Sequence, residues 1–281
     1  MSDVTVPDVS LPTPTGSVAI PQVGFGVWQV PDDEVEAAVL HALGAGYRHV
    51  DTAKLYANES GVGRALAATD VPREEVFVTT KVWPSEFGAR ETVESFDRSL
   101  ERLGLERLDL FLLHWPFPAQ DRYVEAWQAL RGLRDAGRVR AIGVCNFHPD
   151  HLQRLHDETG EWPAVNQIEL HPYLQQRDLV DFATERGIVT ESWSPLASGQ
   201  KVLDDPVIGG IAARLGATPA QVIIAWHLAR GLVVLPKSVT PSRIEENLAA
   251  VDVRLDEDDL AAIAALDRGF RTGPDPDRFN G

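Results

Sequence analysis

The sequence predicts an α/β protein and, within that class, one (β/α)8 TIM barrel domain spanning residues 1–281. Three observations carry this expectation. A short β-rich apolar run is followed repeatedly by an amphipathic helical stretch, the pattern of parallel strands joined by crossover helices. Eight such runs occur, the number that closes a barrel. The length of 281 residues is close to the roughly 250 that one such barrel needs.

The apolar runs fall at residues 23–26, 48–51, 76–80, 109–113, 139–145, 164–168, 188–193 and 232–235. Helical patterns lie between them at 33–44, 59–68, 89–103, 122–136, 149–158, 177–186 and 219–229. Two more, at 241–250 and 256–266, follow the eighth run and read as extra C-terminal helices. Residues 4–20 alternate in polarity around a Thr13-Pro14-Thr15-Gly16 turn, which predicts an N-terminal β-hairpin capping the bottom of the barrel. A doubly wound sheet shows the same strand–helix alternation, but its Gly-x-Gly-x-x-Gly fingerprint is missing. Gly24-Phe25-Gly26 runs into Val27-Trp28-Gln29, and Gly61-Val62-Gly63 opens no strand–turn–helix unit. A nucleotide would have to bind without that device.

Composition narrows the partners. Hydrophobic residues make up 44% and charged residues 24%, as in an ordinary globular protein. The net charge of −16 is spread along the chain and argues against nucleic acid, whose phosphates it would repel. Any anionic ligand must therefore meet a local cluster of donors. Lysine is scarce, with only Lys54, Lys81, Lys201 and Lys237; this fits a high-salt surface and equally a GC-rich genome. The single cysteine, Cys145, excludes an internal disulfide and reads as a buried strand residue. The first residues lack a basic and then apolar leader, and no apolar run approaches the roughly 18 residues of a membrane span. A cytoplasmic location, no membrane partner and a monomer are the expectations.

In a barrel the chemistry sits at the C-terminal ends of the strands. Asp51 ends the second run, Tyr56 follows in the next loop, Lys81 ends the third and His114 the fourth. An unperturbed tyrosine has a pKa of about 10, too high for an efficient acid near neutrality. A neighbouring ammonium favours phenolate, an aspartate can hold that ammonium, and a histidine can donate to the same carbonyl oxygen. Together these are parts for carbonyl reduction. No His/Cys/carboxylate cluster has metal spacing, so no metal is expected and an organic cofactor would supply the hydride. On spacing alone, a structural Asp–Lys pair and a loop tyrosine remain open alternatives.

Longer motifs surround these residues. Gly46-Tyr47-Arg48-His49-Val50-Asp51-Thr52-Ala53 with Tyr56, Asn58-Glu59 and Val62-Gly63 resembles the first signature of the aldo-keto reductase family. Leu110-Phe111-Leu112-Leu113-His114-Trp115-Pro116 and Ile142-Gly143-Val144-Cys145-Asn146-Phe147 resemble its fourth- and fifth-strand segments. Leu235-Pro236-Lys237-Ser238-Val239 with Arg243-Ile244-Glu245-Glu246-Asn247 resembles its cofactor-phosphate signature. The branch that the sequence resembles is the bacterial 2,5-diketo-D-gluconate reductase type.

The resemblance implies an NADPH-dependent reductase of aldehydes or ketones such as keto-sugars, 2-oxo compounds or small aldehydes, with NADH a weaker cofactor. Tyr56 would be the general acid, Lys81 and Asp51 would tune it, and His114 would orient the carbonyl. Asn146 and Gln167 would hold the nicotinamide carboxamide, and Trp193 would stack on the ring where the family usually has tyrosine. Ser194, Leu196 and Ser198 would wrap the pyrophosphate. Lys237, Ser238, Val239 and Arg243 would surround the 2′-phosphate, with Glu246 and Asn247 near the adenine. Two cations on one phosphate favour NADPH over NADH. Trp28, Trp83 and Trp115 each follow a strand and either wall the substrate pocket or simply pack. Asn58 lies beside Tyr56, and His49 reads as structural. His41, His148, His151, His156, His171 and His227 show no partner pattern. The family also includes accessory proteins that bind NADPH with little turnover, and a cofactor-free barrel isomerase or hydrolase is a third class.

Overall fold

The computed structural model of the protein describes residues 5–199 and 201–280; Val4, the expected first residue of the hairpin, lies outside them. Strands β1 (Asp8–Thr13) and β2 (Gly16–Pro21) form the antiparallel hairpin, in register from Asp8 opposite Pro21 to Thr13 opposite Gly16. Alternation turns Leu11, Val18 and Ile20 to one face, where they pack on Phe77, Leu110, Leu112, Ala141, Val165 and Val233. The hairpin thus plugs one end of the barrel with apolar side chains.

Among the described residues eight parallel strands follow: β3 (Phe25–Gly26), β4 (His49–Asp51), β5 (Phe77–Val82), β6 (Leu108–Leu113), β7 (Val139–Cys145), β8 (Val165–Glu169), β9 (Val189–Trp193) and β10 (Val233–Val234). Each pairs with its neighbour in chain order. The ring closes where Val23 bridges Val234 in parallel, with Gly24 N–H donating to Val234 O and Val234 N–H to Gln22 O, both at 2.9 Å. The eighth expected run shrinks to Val233–Val234, beyond which Leu235 N–H still donates to Ser192 O and Pro236 O still accepts from Gly26 N–H, both at 3.1 Å.

The helices are α1 (Asp32–Ala45), α2 (Glu59–Ala68), α3 (Ala89–Leu103), α4 (Tyr123–Asp135), α5 (Pro149–Thr159), α6 (Arg177–Glu185), α7 (Pro206–Leu215), α8 (Pro219–Ala229), α9 (Pro241–Leu248) and α10 (Glu257–Ala264). Their apolar faces cover the outward side chains of the strands in one continuous core that includes Phe96, Phe111, Trp127, Ile142 and Trp226. Two helices do follow the last strand, but α9 packs against α1 and completes the ring. The surplus helices are therefore α10 and α7, and α7 lies between β9 and α8. The sequence pattern hid α7 because Gly209-Gly210 interrupt it and lower helix propensity. Its ends compensate: Asp205 Oδ1 accepts from Val207 N at 2.9 Å and Pro206 occupies the first turn.

Alternation along the strands also sets the barrel interior. Above the apolar plug the inward positions turn polar: His49 and Asp51 on β4, Thr79 and Lys81 on β5, Gln167 on β8 and Glu191 on β9, all buried. Gly24 makes the room for His49, since a Cβ there would lie 2.5 Å from His49 Nδ1 and from Leu235 Cδ2. Gly24→Ala is expected to destabilise the fold by about 1–3 kcal/mol in urea unfolding, because a confined imidazole cannot move aside. A loss under about 0.5 kcal/mol would mean that the interior yields freely there.

Candidate active site

Strand ends bring Asp51, Lys81 and His114 to one mouth, and the 3-10 turn Lys54–Tyr56 carries Tyr56 over them. Lys81 Nζ donates to Asp51 Oδ1 at 2.7 Å and Thr52 O at 2.9 Å, and lies 3.4 Å from the Tyr56 hydroxyl. Burial disfavours the Lys81 ammonium, but Asp51, Tyr56 and Cys145 together outweigh it and lift the lysine above its ordinary range. Tyr56 departs from the sequence expectation. Lys81 pulls the phenol down, yet burial is larger, so the net shift is upward and the hydroxyl stays protonated. A proton held this way is available for donation.

His114 packs edge-on against Tyr56, with ring centroids 5.8 Å apart, and against Trp83 at 5.2 Å. Burial and then Lys81 push its pKa well below the ordinary histidine value, so the imidazole is neutral. Its Nδ1 is buried with no hydrogen-bond partner among the described residues. A buried unpaired acceptor is tolerated better than a buried unpaired donor. The proton therefore belongs on Nε2, the nitrogen left to serve a ligand.

Gln167 and Asn146, expected at the nicotinamide carboxamide, are engaged inside the protein. Gln167 Nε2 donates to Asp51 Oδ2 at 2.9 Å and to Glu191 Oε2 at 2.6 Å. Asn146 takes a left-handed backbone, φ 65°, and its Nδ2 donates to His114 O at 3.1 Å. Asn146 Oδ1 accepts from the Trp193 indole N–H at 2.8 Å, which fixes the half-buried ring at the mouth.

Asn58 is structural. Its Nδ2 donates to Val27 O and Val30 O, both at 2.9 Å, and its Oδ1 accepts from Thr52 Oγ1 at 2.8 Å. Glu59 is likewise occupied by Thr80 Oγ1 at 2.6 Å and Arg102 Nε at 2.7 Å.

Farther along the mouth, Ser194, Ala197 and Ser198 all have positive φ, a backbone form that turns N–H groups toward an anion. Ser194 Oγ and Ser198 Oγ are 3.3 Å apart, and Leu196 is half-buried beside them. Lys237 and Arg243 are exposed and have no carboxylate partner among the described residues, in a chain whose arginines are mostly paired with acids. Ser238 Oγ accepts from Thr240 N at 3.1 Å, and Val239 is exposed next to it. This donor set fits a nucleotide with an extra phosphate. Glu246, by contrast, accepts from Thr218 Oγ1 at 2.8 Å at the start of α8, and Asn247 is buried.

The mouth has a wall that sequence reasoning missed. The tail after α10 returns across it. Thr272 N and Oγ1 donate to Glu169 Oε1, each at 2.6 Å, and Gly273 N donates to Glu169 Oε2 at 3.1 Å. His148 Nδ1 is 2.8 Å from Asp277 Oδ1. This strap carries Phe279 to Trp115 at 4.6 Å, Phe117 at 5.1 Å and Trp83 at 6.2 Å between centroids. Trp83 and Trp115 thus join one aromatic cluster beside His114. Trp28 stands 46% exposed. Nothing periodic marks Phe279 in the sequence; only its tail position beyond α10 hints at a strap.

The Aldo/keto reductase family profile matches residues 20–268. The chain belongs to that family. It is 55% identical over 263 residues to methylglyoxal reductase DkgA of Salmonella typhimurium, covering 93% of this chain and 95% of that protein. It is 53% identical over 262 residues, with the same coverage, to an aldo-keto reductase of Mycolicibacterium smegmatis. A crystal structure of a Gox0644 mutant in complex with NADPH superposes with a TM-score of 0.93 at 47% identity, covering 98% of this chain and 99% of that one. Phe279→Ala is expected to raise KM for a small aldehyde about three- to tenfold by opening the aromatic wall, with kcat changed less. Steady-state kinetics check this, and an unmoved KM would place Phe279 outside the substrate's reach.

Proposed function

We infer that the chain, a member of the aldo-keto reductase family, works as an NADPH-dependent carbonyl reductase. We propose that Tyr56 is its proton donor, that Lys81 and Asp51 set the proton's energy, and that His114 orients the carbonyl. The observation that carries this reading is the buried Asp51–Lys81 ion pair, 2.7 Å long, lying 3.4 Å below the Tyr56 hydroxyl.

NADPH, when bound, supplies hydride to the carbonyl carbon. His114 Nε2–H donates to the carbonyl oxygen and holds it toward Tyr56. Negative charge then grows on that oxygen, and the Tyr56 proton moves to it. The phenolate left behind lies beside the Lys81 ammonium, which stabilises it in a site from which water is largely excluded. Asp51 keeps Lys81 aimed and charged throughout. Lys237, Ser238 and Arg243 would hold the 2′-phosphate, the Ser194–Ser198 turn the pyrophosphate, and Trp193 one face of the nicotinamide. The indole N–H bond to Asn146 fixes that face, so tryptophan serves where tyrosine is usual.

For substrates, we propose small 2-oxoaldehydes of the methylglyoxal kind. The curated relatives named methylglyoxal reductase support this at 52–55% identity over more than nine-tenths of their length. The compact aromatic wall of Trp83, Trp115 and Phe279 supports it too. We further propose that the enzyme works as a cytoplasmic monomer, since this chain's own tail completes the mouth.

In an assay of NADPH oxidation by methylglyoxal, Tyr56→Phe is expected to lower kcat by about 10²–10⁴-fold while NADPH still quenches protein fluorescence. Full activity in that variant would remove Tyr56 as the acid. NADPH binding without turnover of any aldehyde by the wild type would instead mark a sensor. For the phosphate contact, Arg243→Ala is expected to weaken NADPH about 10–100-fold by losing a charge-assisted bond, with little effect on NADH. Equal losses for both cofactors would show that Arg243 does not read the 2′-phosphate.

A further inference from the structure

The reaction outlined above uses one buried carboxylate, Asp51, and a second, Glu191, lies close to it in the barrel interior. Glu191 lies on β9, two residues before Trp193 and on the same inward face. It is fully buried. Its Oε2 accepts from Gln167 Nε2 at 2.6 Å, and the same nitrogen donates to Asp51 Oδ2 at 2.9 Å. One amide group therefore couples Glu191 to the carboxylate that holds Lys81.

We infer that Glu191 is a positioning residue of the reductase, a neutral carboxylic acid that clamps Gln167 against Asp51 and so fixes the Asp51–Lys81 pair. The inference rests on the proposed role of that pair beneath Tyr56. Charge balance in a dry interior supports it. The groups facing Glu191 are His49 and Asp51 on β4, Lys81 on β5 and Cys145 on β7; β10 contributes only valines. Lys81 is the one cation among them, and it sits on Asp51. His49 is neutral, its pKa pushed down to about 4 chiefly by burial. A second anion would have no counter-ion. Glu191 accordingly keeps its proton: burial first, and the Asp51 charge second, raise it to about 8. Its Oε1, 3.7 Å from His49 Nε2, has no hydrogen-bond partner among the described residues, so a negative charge shared by that oxygen would meet no donor there.

Ionisation of Glu191 would bring a negative charge under Asp51 and oppose the phenolate that must form on Tyr56. The wild-type kcat is thus expected to fall about tenfold or more as pH rises from 7 to 9. Stability responds to the same proton. Between the ordinary carboxyl value of 4.5 and about 8 the folded protein keeps a proton that the unfolded chain releases. Stability therefore declines as pH rises through that window and levels off above it.

The test compares Glu191→Gln and Glu191→Ala with wild type, using NADPH and methylglyoxal for kcat and thermal melting for stability. Glutamine keeps an acceptor oxygen beside a donor group, as the neutral acid does, and cannot titrate. Glu191→Ala is expected to lose about tenfold in kcat at pH 7, and Glu191→Gln to recover most of that loss. The alkaline fall in Glu191→Gln is expected to move up by at least about one pH unit. Its Tm advantage over wild type is expected to widen by about 3 °C or more between pH 5 and pH 8. A wild-type pH profile in Glu191→Gln, or a wild-type kcat in Glu191→Ala, overturns the inference. So does a Tm difference that does not change with pH. The melting comparison needs no turnover, so it reads the buried proton even if Tyr56→Phe shows that the proton donor lies elsewhere.

Discussion

Everything at the mouth depends on the ion pair between Lys81 and Asp51. Neither side chain is more than 4% exposed, and two charges removed from water carry a large desolvation cost. The barrel offsets it with short partners from several strands. Thr52 O and the Tyr56 hydroxyl take the remaining reach of the ammonium, and Gln167 takes the second oxygen of the carboxylate. Removing either member would leave the other charge buried alone, at a cost of about 3–5 kcal/mol. The pair is held under the tyrosine by the energy of the fold.

The same economy of buried partners shapes the rim. Glu169 lies two residues past Gln167 on β8, on the same inward face, but at the open end of the barrel. There it accepts from His171 at 3.1 Å and from the backbone of the returning tail. These donors outweigh the effect of burial and hold its carboxyl below the usual range. Two carboxyls on neighbouring strands thus meet opposite fates. Glu191, with one amide donor, retains a proton; Glu169, with several N–H and O–H donors, is an anion that straps the tail and brings Phe279 over the mouth.

How much of this the sequence disclosed follows from the reach of its patterns. Period-two runs and helical stretches are local, so the eight strands and most helices were legible, and Glu59–Ala68 and Ala89–Leu103 match to the residue. The helix Pro206–Leu215 escaped because its two central glycines look like a loop. The positions of Asp51, Lys81 and His114 followed from one rule, that polar strand ends gather at the mouth. What stayed hidden were contacts between distant segments. His148 showed no partner because Asp277 is 129 residues away. Glu191 lies inside its strand, where the strand-end rule does not reach, although counting back by two from Trp193 points it inward. The direction of the Tyr56 shift could not be read either, since it depends on whether burial or Lys81 prevails.

A chain of net charge −16 that binds an anionic cofactor poses a last question of range. At physiological ionic strength charges are screened beyond about 8 Å, so acids spread over the surface act weakly on a ligand at the mouth. Several of them are also paired in place with arginine, as at Arg64 with Asp32 and Glu36, or at Arg154 with Glu158. Local donors therefore decide. The proposed cofactor groove has Lys237 and Arg243 standing free, beside a turn whose backbone faces an anion. Lower salt would lengthen the reach of the surface acids and work against the cofactor, while higher salt would weaken the two cations themselves. Affinity for the 2′-phosphate thus depends on how many cations are left without an acidic neighbour, and the net charge of the whole chain says little about it.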